Sequence, residues 1–225
     1  MTRDKLLPCV EVTTGADPAA CVLWLHGLGA DGHDFEPIVP HLGLPPHLPT
    51  LFVFPHAPPR PVTLNRGMVM RAWYDIPGLE LDRGTDEIGI RESAEHIERL
   101  LAALAVRGFA SERTVIAGFS QGGAMAYHVG LRHAARLAGI LVLSAYLPLG
   151  DTLEAEAAPA NRSTPILQCH GRYDTVVPQR LGERSAARVQ ELGYSVEWRS
   201  YAVEHSVHPQ EIADIGRWLT DRLSR

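Results

Sequence analysis

The sequence has only three cysteines in 225 residues, Cys9, Cys21 and Cys169, and none of them forms a C-x-x-C pair. No histidine stands beside them at ligand spacing either. A disulfide framework and a structural zinc site are thus both unexpected, and the three read as small buried apolar residues. Nowhere do about 18 apolar residues run uninterrupted, so no integral membrane association is expected. The stretch Met1 to Val12 holds Arg3, Asp4 and Lys5 but no apolar core of signal-peptide length, which predicts a cytoplasmic location. Basic residues are outnumbered, 21 to 26, and the net charge of -5 offers no footprint for nucleic acid or an anionic surface. A small-molecule partner is the expectation.

What remains is a chain with 45% hydrophobic content, enough for one substantial core. No repeat, low-complexity tract or linker divides it, and residues 1–225 are read as one domain. Short apolar runs alternate with amphipathic ones, the pattern of βα units around a mostly parallel sheet. Strands are predicted at Val22 to Leu25, Leu51 to Phe54, Thr114 to Ala117, Ile140 to Ser144, Ile166 to Cys169 and Ser195 to Tyr201. Leu7 to Val12 is a candidate antiparallel edge strand in spite of Pro8. Ile90, Ala94, Ile97, Leu101 and Leu104 recur at steps of four and three, so Asp86 to Arg107 reads as a helix ended by Gly108. Gln121 to Arg132, Gln179 to Leu192 and Gln210 to Leu223 read likewise. The stretches Pro45 to Pro61 and Arg66 to Gly84 read as irregular, and such segments often carry function.

The chemistry starts at Gly118-Phe119-Ser120-Gln121-Gly122, a G-x-S-x-G string between a β-rich run and a helical pattern. Strand, sharp turn and helix are the context of a nucleophile elbow, which predicts an α/β-hydrolase fold with Ser120 as nucleophile. The glycines allow a strained backbone at the serine and prevent a collision across the turn.

In this fold an acid and then a histidine follow the serine, each after a strand. Asp174 lies just past Ile166 to Cys169 and is the candidate acid. Two histidines follow the last predicted strand. His205 is the candidate base, whereas His208 directly precedes Pro209 and reads as a helix boundary. At the end of the first parallel strand, Leu25-His26-Gly27-Leu28-Gly29 forms a glycine-rich turn whose backbone can face an oxyanion. Leu28 is the first candidate donor there and Gly29 the second, with the N–H of Gln121 as the other half of the pair. His26 reads as an orienting or packed residue.

These residues, together with Pro55-His56-Ala57-Pro58, Arg60-Pro61-Val62-Thr63 and Arg71-Ala72-Trp73-Tyr74-Asp75, give the chain a resemblance over nearly its whole length. It resembles the bacterial carboxylesterase and acyl-protein thioesterase family, also described as phospholipase/carboxylesterases. The resemblance implies a mostly parallel sheet flanked by helices with no large lid domain, and Ser120, Asp174 and His205 as a triad. It further implies Leu28 and Gln121 as oxyanion donors, no metal or organic cofactor, an acyl ester or thioester as substrate, and a possible homodimer. A groove bordered by Trp73, Met68 and Gly29 would take the acyl chain, although Trp73 reads equally well as core. Met68, Val69, Met70, Ile76, Pro77 and Leu79 make the same loop apolar but too short for a helical lid, which predicts an open groove for short to medium chains. One departure stands out: the family usually has glycine directly before the histidine, and here that residue is Glu204. General carboxylesterase, depalmitoylating thioesterase and lysophospholipase share these motifs. A dienelactone-type hydrolase would carry cysteine in place of Ser120, and a binding module on the same fold would have lost part of the triad.

Overall fold

The computed structural model describes residues 6–78 and 85–224. In chain order its elements are β1 (Cys9–Thr13), β2 (Ala20–Leu25), β3 (Thr50–Pro55), β4 (Pro59–Val62), β5 (Met68–Arg71), α1 (Glu87–Val106), β6 (Thr114–Phe119), α2 (Gln121–Gly130), β7 (Gly139–Leu143), α3 (Leu153–Glu156), β8 (Ile166–Gly171), α4 (Gln179–Glu191), β9 (Val196–Tyr201) and α5 (Pro209–Leu223). Seven strands form one sheet in the order β1-β3-β2-β6-β7-β8-β9. All neighbours run parallel except β1, which lies antiparallel on β3 from Cys9 opposite Pro55 to Thr13 opposite Leu51. This is the α/β-hydrolase arrangement, with the expected edge strand in place.

Both faces of the sheet are covered at its centre, which explains why the inner strands β2, β3, β6 and β7 are apolar without alternation, whereas the edge strands β1 and β9 are partly exposed and mixed. In β2, Cys21, Leu23 and Leu25 join the core built with Ile90, Ile97, Leu101 and Leu104 of α1. Ala20, Val22 and Trp24 point the other way, into the core that holds Ile215, Trp218 and Leu219 of α5. The helix α1 begins where the Asp86 carboxylate accepts from the N–H of Gly89 at 2.9 Å and ends before Gly108, whose φ is +99°. This geometry brings the C-terminal ends of β2, β6, β8 and β9 to one edge of the sheet, where the loops that follow them meet.

The two stretches read as irregular differ from expectation. They supply β4 and β5, an antiparallel hairpin apart from the main sheet, with Pro59 opposite Arg71 and Val62 opposite Met68. Pro59 and Pro61 hide this strand from a propensity reading, since proline donates nothing to a ladder. The reversal is made by Arg66 and Gly67, at φ 58° and 75°. Leu79 and Gly84, counted with the same loop, lie outside the described residues.

Candidate active site

Ser120 sits between β6 and α2 at φ 54°, ψ -119°, a region costly for any residue with a side chain. Its N–H donates to Leu143 O at 2.9 Å, which ties the turn to the neighbouring strand. A Cβ on Gly118 would collide with the carbonyl of Gly122, and one on Gly122 with those of Leu25 and His26. Both glycines of the string are therefore required by close backbone approach. Gly123 adds a third such position against Ala145.

The loops after β8 and β9 bring Asp174 and His205 to this turn. His205 Nδ1 lies 2.6 Å from Asp174 Oδ2, and its Nε2 lies 2.9 Å from Ser120 Oγ. The other carboxylate oxygen of Asp174 accepts from the N–H groups of Val176 and Val177 at 2.9 and 2.8 Å. With Asp174 as acceptor, Nδ1 of His205 is the donor, which leaves Nε2 free to accept the serine proton. Phe119 packs on the imidazole with centroids 4.7 Å apart. Behind the acid, the fully buried His170 has its pKa lowered by desolvation and donates from Nε2 to Val177 O at 2.8 Å, bracing the same loop. His208 is placed elsewhere: its Nδ1 accepts from Gln210 N at the start of α5, and Glu211 accepts from its N–H, a capping box.

On the other side of Ser120, the N–H groups of Leu28 and Gln121 have no intrachain acceptor among the described residues. The N–H of Gly29 is taken by Arg71 O at 2.9 Å, so this second candidate donor is unavailable to an oxyanion. The Gln121 side chain, buried, has a separate task that sequence reasoning missed. Its Oε1 accepts from Trp73 N at 2.8 Å and its Nε2 donates to Tyr74 O at 2.7 Å, so the amide pairs with the backbone as a strand would. Trp73 Nε1 in turn donates to His26 O at 2.9 Å. His26 accepts from Ala57 N on Nε2 at 3.0 Å, so Nδ1 carries the proton and donates to Gly27 O at 2.7 Å. Burial lowers the His26 pKa to about 4, which keeps it neutral for this purpose.

A cavity of about 490 Å³ opens onto Ser120, His205 and Gln121. Its apolar walls come from Leu28, Leu64, Tyr74, Ile76, Phe119 and Val176. The hydroxyls of Tyr74 and Tyr146, both in the lining, share a hydrogen bond of 2.9 Å. A serine hydroxyl, an imidazole held by a carboxylate, and two N–H groups without an acceptor among the described residues, all around an apolar cavity, make an arrangement able to carry out acyl transfer. Among the described residues, no cluster of three His, Cys, Asp or Glu is placed to hold a metal ion.

The family model for phospholipase/carboxylesterase matches residues 7–222. The chain belongs to this family. Acyl-protein thioesterase 1 of Gibberella zeae is 35% identical over 99% of this chain and 98% of its own length. A probable carboxylesterase of Oryza sativa subsp. japonica is 33% identical over 97% of this chain and 84% of its own. Among solved structures, Zea mays acyl-protein thioesterase 2 superposes with a TM-score of 0.84 at 30% identity, covering 96% and 99% of the two chains. The protein is accordingly a hydrolase. These relatives are fungal and plant, and they lend no support to the bacterial origin in the expected resemblance.

Three of the expected family positions fall outside the cavity lining. Trp73 is fully buried and belongs to the core, because its indole serves His26 O and its ring packs on His26 at 5.4 Å. Met68 stands on the hairpin, 64% exposed, with its side chain in solvent. Gly29 is exposed, and its φ of +77° with the bond to Arg71 makes it a turn element. Leu28 and Gln121 do line the cavity, and beside them stand Tyr74, Tyr146 and Phe119, of which Tyr146 belongs to no motif. Phe119 had a usable signal as the residue directly before the serine of the string, and Tyr74 as a member of the Arg71 to Asp75 block. Glu204, the departure from the family pattern, is exposed, and its φ is not positive, so the loop needs no glycine there.

Proposed function

We propose that the protein is a serine carboxylesterase acting on short to medium acyl esters through an acyl-enzyme on Ser120. The observation that carries this reading is the unbroken line of contacts from Asp174 Oδ2 through His205 to Ser120 Oγ, at 2.6 and 2.9 Å. As Ser120 Oγ bonds to the carbonyl carbon, its proton passes to His205 Nε2, and Asp174 stabilises the imidazolium. The carbonyl oxygen, now negative, takes hydrogen bonds from Leu28 N and Gln121 N. His205 then gives the proton to the leaving alcohol as the carbon–oxygen bond breaks. Water, deprotonated by His205, releases the acid and restores Ser120. A fluorophosphonate should label Ser120 with no added metal, and Ser120→Ala should lose about 10⁴ to 10⁶ in kcat while remaining folded. Label on another residue, or activity abolished by EDTA, overturns the serine mechanism.

The relatives named acyl-protein thioesterase favour a second reading, a thioesterase that uses the same groups on a long-chain thioester. The cavity walls decide between them, since each well-placed methylene is worth about 1 to 3 kcal/mol. For p-nitrophenyl esters from acetate to palmitate, kcat/KM is expected to peak at short to medium chains. A steady rise to sixteen carbons, with an acyl thioester cleaved faster still, selects the thioesterase.

A further inference from the structure

A second cavity, of about 570 Å³, adjoins the catalytic one and is lined in part by Leu147, Leu149 and Leu181. Tyr146 is the one described residue that lines both, so it forms their shared wall. Three residues past the end of β7, Tyr146 is only half-buried, yet its hydroxyl is held by the 2.9 Å hydrogen bond to the hydroxyl of Tyr74. Tyr74 is itself fixed. It is fully buried, and its carbonyl accepts from Nε2 of Gln121, the residue directly after the nucleophile, at 2.7 Å. Burial raises the pKa of both hydroxyls, so the pair stays uncharged at neutral pH and the bond persists.

The bond takes away the freedom of the half-buried Tyr146 ring to turn aside. It also puts two polar atoms where an alkyl chain would have to pass from the apolar walls of the catalytic cavity into the second one. We propose that Tyr146, latched to Tyr74, stops an alkyl chain of the substrate at the end of the catalytic cavity, and that the second cavity takes the longer chain once this residue is made small. Tyr146 is thereby a specificity-determining residue for chain length. This rests on the serine esterase reading and names the residue that sets its limit.

Two ratios of kcat/KM test it, each measured with monomeric substrate. That of p-nitrophenyl dodecanoate to p-nitrophenyl butyrate reads the limit on the acyl chain, and that of octyl to ethyl butyrate reads it on the alcohol chain. Tyr146→Ala should raise one of them by at least about tenfold as several methylenes gain contact, and the ratio that rises identifies the chain that meets the wall. Tyr146→Phe, which keeps the ring and loses the bond, should raise the same ratio by only about threefold, as expected for one neutral hydrogen bond. Because each value is a ratio within one preparation, loss of folded protein cancels. Leu181→Trp, which fills the second cavity, should leave both ratios alone by itself and cancel most of the gain in Tyr146→Ala. Both ratios unchanged in Tyr146→Ala, or a gain that survives Leu181→Trp, overturn the role of Tyr146, and no change in Tyr146→Phe overturns that of the hydroxyl bond. No hydrolysis of even the short esters by the unchanged protein overturns the esterase reading beneath them.

Discussion

On the acid and base side of the cavity the groups proposed to react are side chains and the backbone holds them, whereas around Leu28 and Gln121 the backbone faces the cavity and side chains do the holding. Asp174 is fixed by the N–H groups of Val176 and Val177. In the other half, Gln121 and His26 bind the segments at Trp73, Tyr74 and Ala57 into one block behind the two free N–H groups. A substitution in the first half deletes a reacting group. One in the second half can only loosen the frame around a group that stays.

The first half should accordingly show the largest effects. His205→Ala is expected to lower kcat by about 10⁴, as an unassisted serine hydroxyl is a poor nucleophile at neutral pH. Asp174→Asn should cost about as much by favouring the wrong imidazole tautomer, and the double variant should be little worse than either, since the two act as a unit. His208→Ala should retain most activity, its ring being engaged in the cap of α5. Steady-state kinetics on the variants together would reverse the assignment if His208→Ala were the inactive one.

The same contrast governs what the sequence makes legible. Ser120, Asp174 and His205 could be picked out because the chemistry admits few residue types and the fold dictates their order along the chain. The glycines of the elbow were legible for steric reasons. The clamp by Gln121 was not, because a buried amide that pairs with a distant backbone follows no local rule, and its partners lie 48 and 47 positions away. Trp73 was visible as part of a block, but the block alone gives no hint that it packs on His26 instead of bordering the cavity. The hairpin of β4 and β5 was hidden by its prolines. The sheet, by contrast, was readable because the inner strands β2, β3, β6 and β7 are buried on both faces and form nearly continuous apolar runs, with ends displaced by only a residue or two.

The holding half should respond in the middle of the range. Gln121→Met keeps the N–H and the bulk of the side chain but leaves Trp73 N and Tyr74 O buried without a partner, a cost of about 1 to 3 kcal/mol in stability. If the clamp positions the donor, kcat should fall about 10- to 100-fold with KM little changed, as expected for a donor misaligned with the transition state. An unchanged kcat in a destabilised protein would reduce Gln121 to a packing residue.

His26 gives the same frame a pH dependence. Burial lowers its pKa from 6.5 to about 4, against a weaker opposing effect of the bond to Gly27. Below about pH 6.5 the unfolded chain therefore takes up a proton that the folded protein refuses until about pH 4. Stability contributed by neutral His26 is present above this window and is lost as pH falls through it, by at most about 3 kcal/mol. Denaturant unfolding of His26→Gln, which can still accept from Ala57 N, should show a shallower loss between pH 6.5 and 4 than the unchanged protein. Equal slopes would show that His26 does not titrate as its surroundings imply.

The smallest effect is expected at Glu204, where this chain parts from its family. A glycine is indispensable where φ is positive or where a Cβ has no room, and neither holds at this position. The crowding falls across the loop instead, on Gly171, where a Cβ would strike the carbonyls of Val203 and Glu204. Glu204→Gly should thus gain no strain relief and should only enlarge the freedom of the unfolded chain, costing about 0.5 to 1 kcal/mol. The backbone that carries His205 is still set from outside the residue, by Gly171 and by the bond from Tyr173 N to Val203 O at 3.0 Å, so kcat/KM for a neutral ester should stay within about twofold. Unfolding curves and kinetics on this one variant separate the two outcomes. A gain in stability, or a change in activity beyond tenfold, would mean that the loop before His205 is strained by its glutamate, and that the acid and base side relies on that residue as much as on the backbone around Asp174.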